Sequence, residues 1–246
     1  MKLIKLPAEE RIIFPLDVSS SEEATLWVER LNPFIGVFKI GLELFISEGP
    51  QIIEKIRNKT NKKIFLDLKL NDIPNTVSKA VRVISNMGVD WVSVHLLAGS
   101  LALRKALELA YNNLKIIGIT ILTSLDRADL LELGFNAELA KDLKELVLRL
   151  AFLAYQTGCE GIVCSAKEVE KVKENFPELI TIVPGIRLSE ERRDDQLRTA
   201  TPYEAILLGA DYLVIGRPIK EASFPEKVCE EIIVQIKRAL EEREDD

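Results

Sequence analysis

The feature that most limits how this chain can fold is its rhythm: short apolar strand candidates alternate with amphipathic helix candidates along its whole length. Strands are expected at 12–18, 37–41, 63–70, 91–96, 115–122, 161–165, 180–187 and 212–219. Helices are expected at about 20–31, 43–59, 74–86, 100–111, 138–156, 167–175, 202–208 and from 225 into the acidic tail, with a short helix near Leu130. Their starts carry the usual signals. Ser19, Ser20 and Ser21 precede Glu22 and Glu23, while Pro74 and Pro202 fall in first turns, where a missing N–H costs nothing. Parallel strands need crossover helices, and eight strand–helix units close without edges. The expected fold class is therefore α/β, a single (β/α)8 TIM barrel over residues 1–246, with an open doubly wound sheet as the competing arrangement. The polar run 188–200 has no apolar periodicity and reads as a long loop.

One strand candidate departs from the apolar pattern. In KIFLDLKLNDIPNT, from Lys63 to Thr76, Phe65, Asp67 and Lys69 share one face, and Leu66, Leu68 and Leu70 share the other. The leucines can pack under helices. Asp67 and Lys69 are costly to bury singly and must face each other, further charges or a ligand.

Composition removes whole classes of function. With 33 Lys+Arg against 39 Asp+Glu, the net charge is −6, which repels polyanions and argues against nucleic acid as a partner. No run approaches the length of a membrane span, and the first residues lack a signal-peptide core, so a cytoplasmic protein with no membrane partner is expected. Cys159, Cys164 and Cys229 have no paired spacing and His95 is the single histidine, so a zinc site is not expected and the cysteines read as reduced packing residues. Nucleophile elbows and glycine-rich nucleotide loops are absent from the sequence.

In a barrel of this kind the site lies at the C-terminal strand ends. There the expected strands carry Asp17, Lys39, Asp67 with Lys69, His95, Thr123, Arg187 and Arg217, with Ser165 a weaker addition. For His95 and Ser165 an ordinary polar strand end is the simpler account. If the second and third strands are neighbours, Lys39, Asp67, Lys69 and Asp72 alternate in sign. Such an array can bind an anion and stabilise negative charge developing on carbon; the alternative is an ion-pair network that only holds the barrel mouth together. Gly216-Arg217-Pro218 lies at the end of the last expected strand, where barrels often bind phosphate, and Arg187 and Gln196 could close over the same anion.

Several segments together carry a family resemblance. Asp67-Leu68-Lys69-Leu70-Asn71-Asp72-Ile73-Pro74-Asn75-Thr76 is the most specific. Pro15-Leu16-Asp17, Phe38-Lys39-Ile40-Gly41, Leu122-Thr123-Ser124, Pro184-Gly185-Ile186-Arg187 and Ile215-Gly216-Arg217-Pro218-Ile219 follow the same order. The chain resembles the orotidine 5'-phosphate decarboxylases of the bacterial type. The resemblance implies a homodimeric barrel that converts the small molecule orotidine 5'-phosphate to UMP and CO2 in pyrimidine synthesis, without metal or organic cofactor. By that resemblance Lys69 protonates C6, Asp67 lies near the substrate carboxylate, Lys39 orients the array and meets the ribose, and Asp17 holds a ribose hydroxyl. Asp72, Ile73 and Thr76 serve the neighbouring subunit, Thr123 and Ser124 meet the pyrimidine, and Arg187, Gln196, Gly216 and Arg217 grip the phosphate. Three rivals stand beside it: a magnesium-dependent sugar-phosphate barrel sharing the Asp-x-Lys element, a Schiff-base enzyme using Lys69 or Lys39, and a non-catalytic phosphate binder.

Overall fold

Alternation along each strand separates two apolar surfaces. Ile13, Phe65, Trp91 and Tyr212 point into one interior cluster, while their neighbours Phe14, Leu66, Val92 and Leu213 join a larger cluster under the helices. Two such surfaces are satisfied together when the sheet closes on itself. The computed structural model describes residues 6–188 and 199–245. The parallel strands β1 (Ile12–Pro15), β2 (Val37–Ile40), β3 (Lys63–Leu70), β4 (Trp91–His95), β5 (Lys115–Ile119), β6 (Gly161–Val163), β7 (Ile180–Val183) and β8 (Tyr212–Val214) pair in chain order, and β8 closes on β1. The fold is a (β/α)8 TIM barrel.

The covering helices are α1 (Ser21–Leu31), α2 (Leu42–Glu48), α3 (Gln51–Arg57), α4 (Pro74–Ile84), α5 (Ser100–Leu109) and α6 (Arg127–Glu132). They continue as α7 (Ala137–Lys141), α8 (Leu143–Thr157), α9 (Ala166–Asn175), α10 (Pro202–Leu207), α11 (Arg217–Lys220) and α12 (Pro225–Asp245). No helix among the described residues is long and apolar enough to cross a membrane.

Several boundaries differ from the sequence expectation. The helix expected at 43–59 is two, because Gly49 takes φ +69° and Pro50 follows it. The helix expected at 138–156 breaks at Asp142, whose carboxylate accepts hydrogen bonds from the N–H groups of Lys144 and Glu145 and so starts α8. Strands expected to reach 18, 122, 187 and 219 end at Pro15, Ile119, Val183 and Val214. Leu16, Ile121, Ile186 and Ile215 beyond them are still buried, and the Leu16 and Ile215 N–H groups still donate to the Lys39 and Ile13 carbonyls, so burial continues past the regular strands. Of the loop expected at 188–200, residues 189–198 lie outside the described residues.

Aromatic rings fill the barrel near the strand starts. Trp91 meets Tyr212 edge to face at 5.0 Å and Phe65 at 5.9 Å. Lys173 pairs with Asp211 at 2.5 Å, both side chains buried, and Asp211 accepts from the Thr181 N–H at 2.9 Å, which ties α9 to the entries of β7 and β8. The opposite end stays open and carries the site.

Candidate active site

Leu66 pairs with Val92 and Leu70 with Val94, so Asp67, Leu68 and Lys69 stand opposite Ser93 alone. This bulge is accompanied by φ +50° at Lys69, a left-handed conformation that few non-glycine residues adopt. Its result is a lysine ammonium folded back on its own strand: Lys69 Nζ lies 2.8 Å from Asp67 Oδ2. Strand β2 is next to β3, with Lys39 paired to Phe65, and Lys39 Nζ approaches the same Oδ2 at 3.4 Å and Asp17 Oδ1 at 3.5 Å. Gly41 leaves room for this contact, since a Cβ there would stand 3.2 Å from Lys39 Nζ and 3.3 Å from Asp17 Oδ1.

The four charges sit in different environments. Exposure falls from 59% at the Asp17 side chain to 35% at Lys69, 12% at Lys39 and 9% at Asp67. Asp67 is therefore the buried hub. Burial pushes its carboxyl up, but Lys39 and Lys69, with hydrogen bonds from Lys69 and Ser93, outweigh burial and hold it below the usual aspartate value. Burial likewise pushes Lys39 down, and Asp67 and then Asp17 overcome it, so its ammonium is held above the usual lysine value. The centre is a cation–anion–cation array in which the buried pair, Lys39 and Asp67, is held in its charged form.

A cavity of about 270 Å³ opens over this array. Lys39, Asp67 and Lys69 form one side, Phe65, Ile119, Ile121, Val163 and Val214 supply an apolar lining, and Arg187, Gly216 and Arg217 stand across from the array's own strands, after β7 and β8. The apolar part of the lining strengthens the charge interactions beside it. Arg187 is buried, and its Nη1 donates to the Ile186 carbonyl at 2.9 Å. The ends of the long segment after β7 are pinned here: Ile186 bridges Ala200, and the Arg187 N–H donates to the Ala200 carbonyl at 2.9 Å. Gln196, expected in the closing loop, lies outside the described residues.

Of the residues singled out from the sequence, Asp17, Lys39, Asp67, Lys69, Thr123, Arg187, Gly216 and Arg217 line this one cavity. Ser124 is exposed and does not line it. Asp72, Ile73 and Thr76 are also exposed and outside it, with Ile73 67% accessible at the start of α4. Ser165 stands at the N-terminus of α9, where it is buried and both its N–H and its hydroxyl donate to the Glu168 carboxylate, so it serves the helix start. His95 is half-buried, and its Nδ1 accepts from the Leu97 N–H at 3.3 Å. Burial first, and the charge of Lys69 second, hold its pKa below the usual histidine value.

Two residues escaped the sequence reading. Ser93 is fully buried in β4, and its hydroxyl donates to Asp67 Oδ1 at 2.8 Å while accepting from the Lys69 N–H at 2.8 Å. Lys220, in α11, donates to the Asp17 carbonyl at 2.6 Å and fastens the end of β8 to the end of β1. Ser93 sits in a strand of otherwise apolar character before His95, and a buried serine there was the available signal.

Residues 10–232 match the sequence model of the Orotidine 5'-phosphate decarboxylase / HUMPS family. The orotidine 5'-phosphate decarboxylase of Gloeothece citriformis is 42% identical over 231 residues, covering 91% of this chain and 97% of that protein. That of Carboxydothermus hydrogenoformans is 44% identical over 222 residues, covering 87% and 90%. Among solved structures, the orotidine 5'-phosphate decarboxylase of Lactobacillus acidophilus superposes with a TM-score of 0.77 at 32% identity, covering 92% of this chain and 98% of the other.

Proposed function

Because the chain belongs to the Orotidine 5'-phosphate decarboxylase / HUMPS family, we propose that it is a carboxy-lyase that converts orotidine 5'-phosphate to UMP and CO2 in pyrimidine nucleotide synthesis. The observation that carries the reading is the Lys39–Asp67–Lys69 array, facing an apolar cavity with two arginines across from it. The C6–carboxylate bond breaks, CO2 leaves, and the electron pair stays on C6. Lys69, the more accessible cation of the array, then delivers a proton from Nζ to C6 and is reprotonated from solvent. Lys39 and Lys69 stabilise the negative charge as it develops, and Asp67 keeps both cations fixed before the substrate arrives. On this reading the chain's own side chains suffice, with neither metal nor organic cofactor.

Substrate contacts are distributed accordingly. Asp17 and Lys39 take the ribose hydroxyls, Thr123 the pyrimidine with Ser124 reaching it only if its exposed side chain turns inward, and Gly216, Arg217 and Arg187 the phosphate, with Gln196 as a further phosphate ligand. Binding energy gathered at the phosphate, far from C6, is available to align the reacting carbon over Lys69. We extend the reading to a homodimer in which Asp72, Ile73 and Thr76 complete the neighbour's array. Their exposure outside their own cavity fits this, as do Leu97 and Leu101, which are 48% and 58% accessible. The three cysteines are free and buried, which suits the reducing cytoplasm. Residues 1–246 act in this reading as one catalytic domain.

The test is direct. Purified protein should release CO2 from orotidine 5'-phosphate and form UMP in the presence of EDTA, and should turn over orotidine, which lacks the phosphate, far more slowly. Folded protein that releases no CO2, or that requires added Mg2+, overturns the reading.

A further inference from the structure

The bulge in β3 removes a rung from the barrel ladder, and one side chain replaces it. Ser93 is the single residue facing Asp67, Leu68 and Lys69, and it is fully buried. Its oxygen accepts the Lys69 N–H, a donor that a regular parallel ladder would give to a backbone carbonyl. Its hydroxyl proton goes to Asp67 Oδ1, while both lysines pair with Oδ2. One oxygen therefore joins the left-handed backbone of Lys69 to the buried carboxylate that Lys69 pairs with. Without it, the buried Asp67 carboxylate and the Lys69 N–H lose a partner together, and a backbone conformation that is unfavourable for lysine loses the side chain that holds its N–H.

We propose that Ser93 is a positioning residue for the reaction: it sets the aim of the Lys69 ammonium and the orientation of the Asp67 carboxylate through one bifunctional hydroxyl. Ser93 acts through Asp67 and Lys69 and touches no reacting atom. The proposal rests on the decarboxylase reading above.

The experiment compares Ser93→Ala, Ser93→Thr and Ser93→Val with the unaltered chain in kcat, in affinity for UMP and in crystal structure. Threonine and valine have the same shape and differ by the hydroxyl, so this pair decides the matter if the alanine variant does not fold. Loss of a hydrogen bond to a charged group corresponds to a fall of about 10- to 100-fold. That fall is expected in kcat for the alanine and valine variants, with UMP affinity kept within about threefold and threonine restoring most of the rate. The structures of the alanine and valine variants should show Lys69 leaving its positive φ or its Nζ drawing away from Asp67 Oδ2. A general packing role predicts something else, namely equal losses for threonine and valine, or kcat and UMP affinity falling together. Either result overturns the proposal, as does an alanine variant with unchanged kcat or unchanged Lys69 geometry. An unaltered chain that fails to decarboxylate the substrate overturns the function reading instead, and the crystal geometry still judges Ser93.

Discussion

Replacing Asp67 with asparagine removes the hub of the array while keeping its shape, and its cost follows from what is left behind. At an effective dielectric near 20, attractions across 2.8 and 3.4 Å are each roughly 5–6 kcal/mol before desolvation is subtracted. Most of that is offset by the cost of taking the ions out of water, so the net loss is the penalty for a stranded buried charge, about 3–5 kcal/mol. Lys69, at 35% exposure, can turn to water, whereas Lys39 at 12% cannot. The lower end, about 3 kcal/mol, is therefore expected, equivalent to roughly 6–12 °C in Tm for a chain of this size. Differential scanning calorimetry at one fixed protein concentration measures it. The pH dependence gives a sharper check. Without Asp67, burial dominates at Lys39 and its folded pKa drops below the ordinary 10.5, so the unfolded chain binds more protons than the folded one. Stability of the variant then rises with pH in that window. The unaltered protein, whose Lys39 is held above 10.5, has no such gain, and the gap between them narrows from pH 7 towards 10. Adding Lys39→Met to Asp67→Asn should recover at least about 1 kcal/mol relative to the sum of the single changes. A Tm loss under about 2 °C, a gap independent of pH, or strict additivity would refute this account.

Two further outcomes are expected. The single histidine gives one imidazole signal by NMR, and its titration midpoint should lie below 6.5 and move upward in Lys69→Ala, which removes the cation and leaves the burial; a midpoint at or above 6.5, or no movement, contradicts the site geometry. Lys69→Ala and Asp72→Ala proteins, each inactive alone and each still binding UMP, should regain up to about a quarter of normal activity per site when mixed and allowed to exchange subunits, by simple pairing statistics; no recovery despite verified heterodimers would place Asp72 outside the neighbour's site.

The barrel was legible because its signal is redundant: eight apolar runs separated by helix starts leave few other closed arrangements. Boundaries were less legible because an apolar residue reports burial, not hydrogen bonding. Ile121 is about as buried as Ile119, the last residue of β5, yet lies two positions past the strand. Within the site, Lys39, Asp67 and Lys69 stood out because a charge between large apolar neighbours needs partners. Ser93 did not, since a small neutral hydroxyl in an apolar strand is cheap to bury once bonded, and its partners lie 24 and 26 positions away. Lys220 was hidden for a related reason. The run after Val214 looked like continuing strand, whereas Gly216 and Pro218 start a short helix that swings Lys220 onto the Asp17 carbonyl.

The bulge also explains how a strand can hold an ion pair between residues two apart. Side chains at such positions share a face but start about 6.6 Å from each other along a regular strand. The left-handed turn at Lys69, with the reach of its side chain, brings Nζ to 2.8 Å from Asp67 Oδ2. A conformation of that kind costs about 1–3 kcal/mol and persists only where its surroundings fix it. Here those surroundings are Ser93 on one side and, on the other, Leu68 and Leu70, which pack against the main core under the helices. Strain and buried charge are thus concentrated in the same few residues, and both are supported by side chains that do not themselves carry charge. The leucine face of β3 is therefore part of the active-site apparatus, because it holds the backbone on which the charged face is aimed.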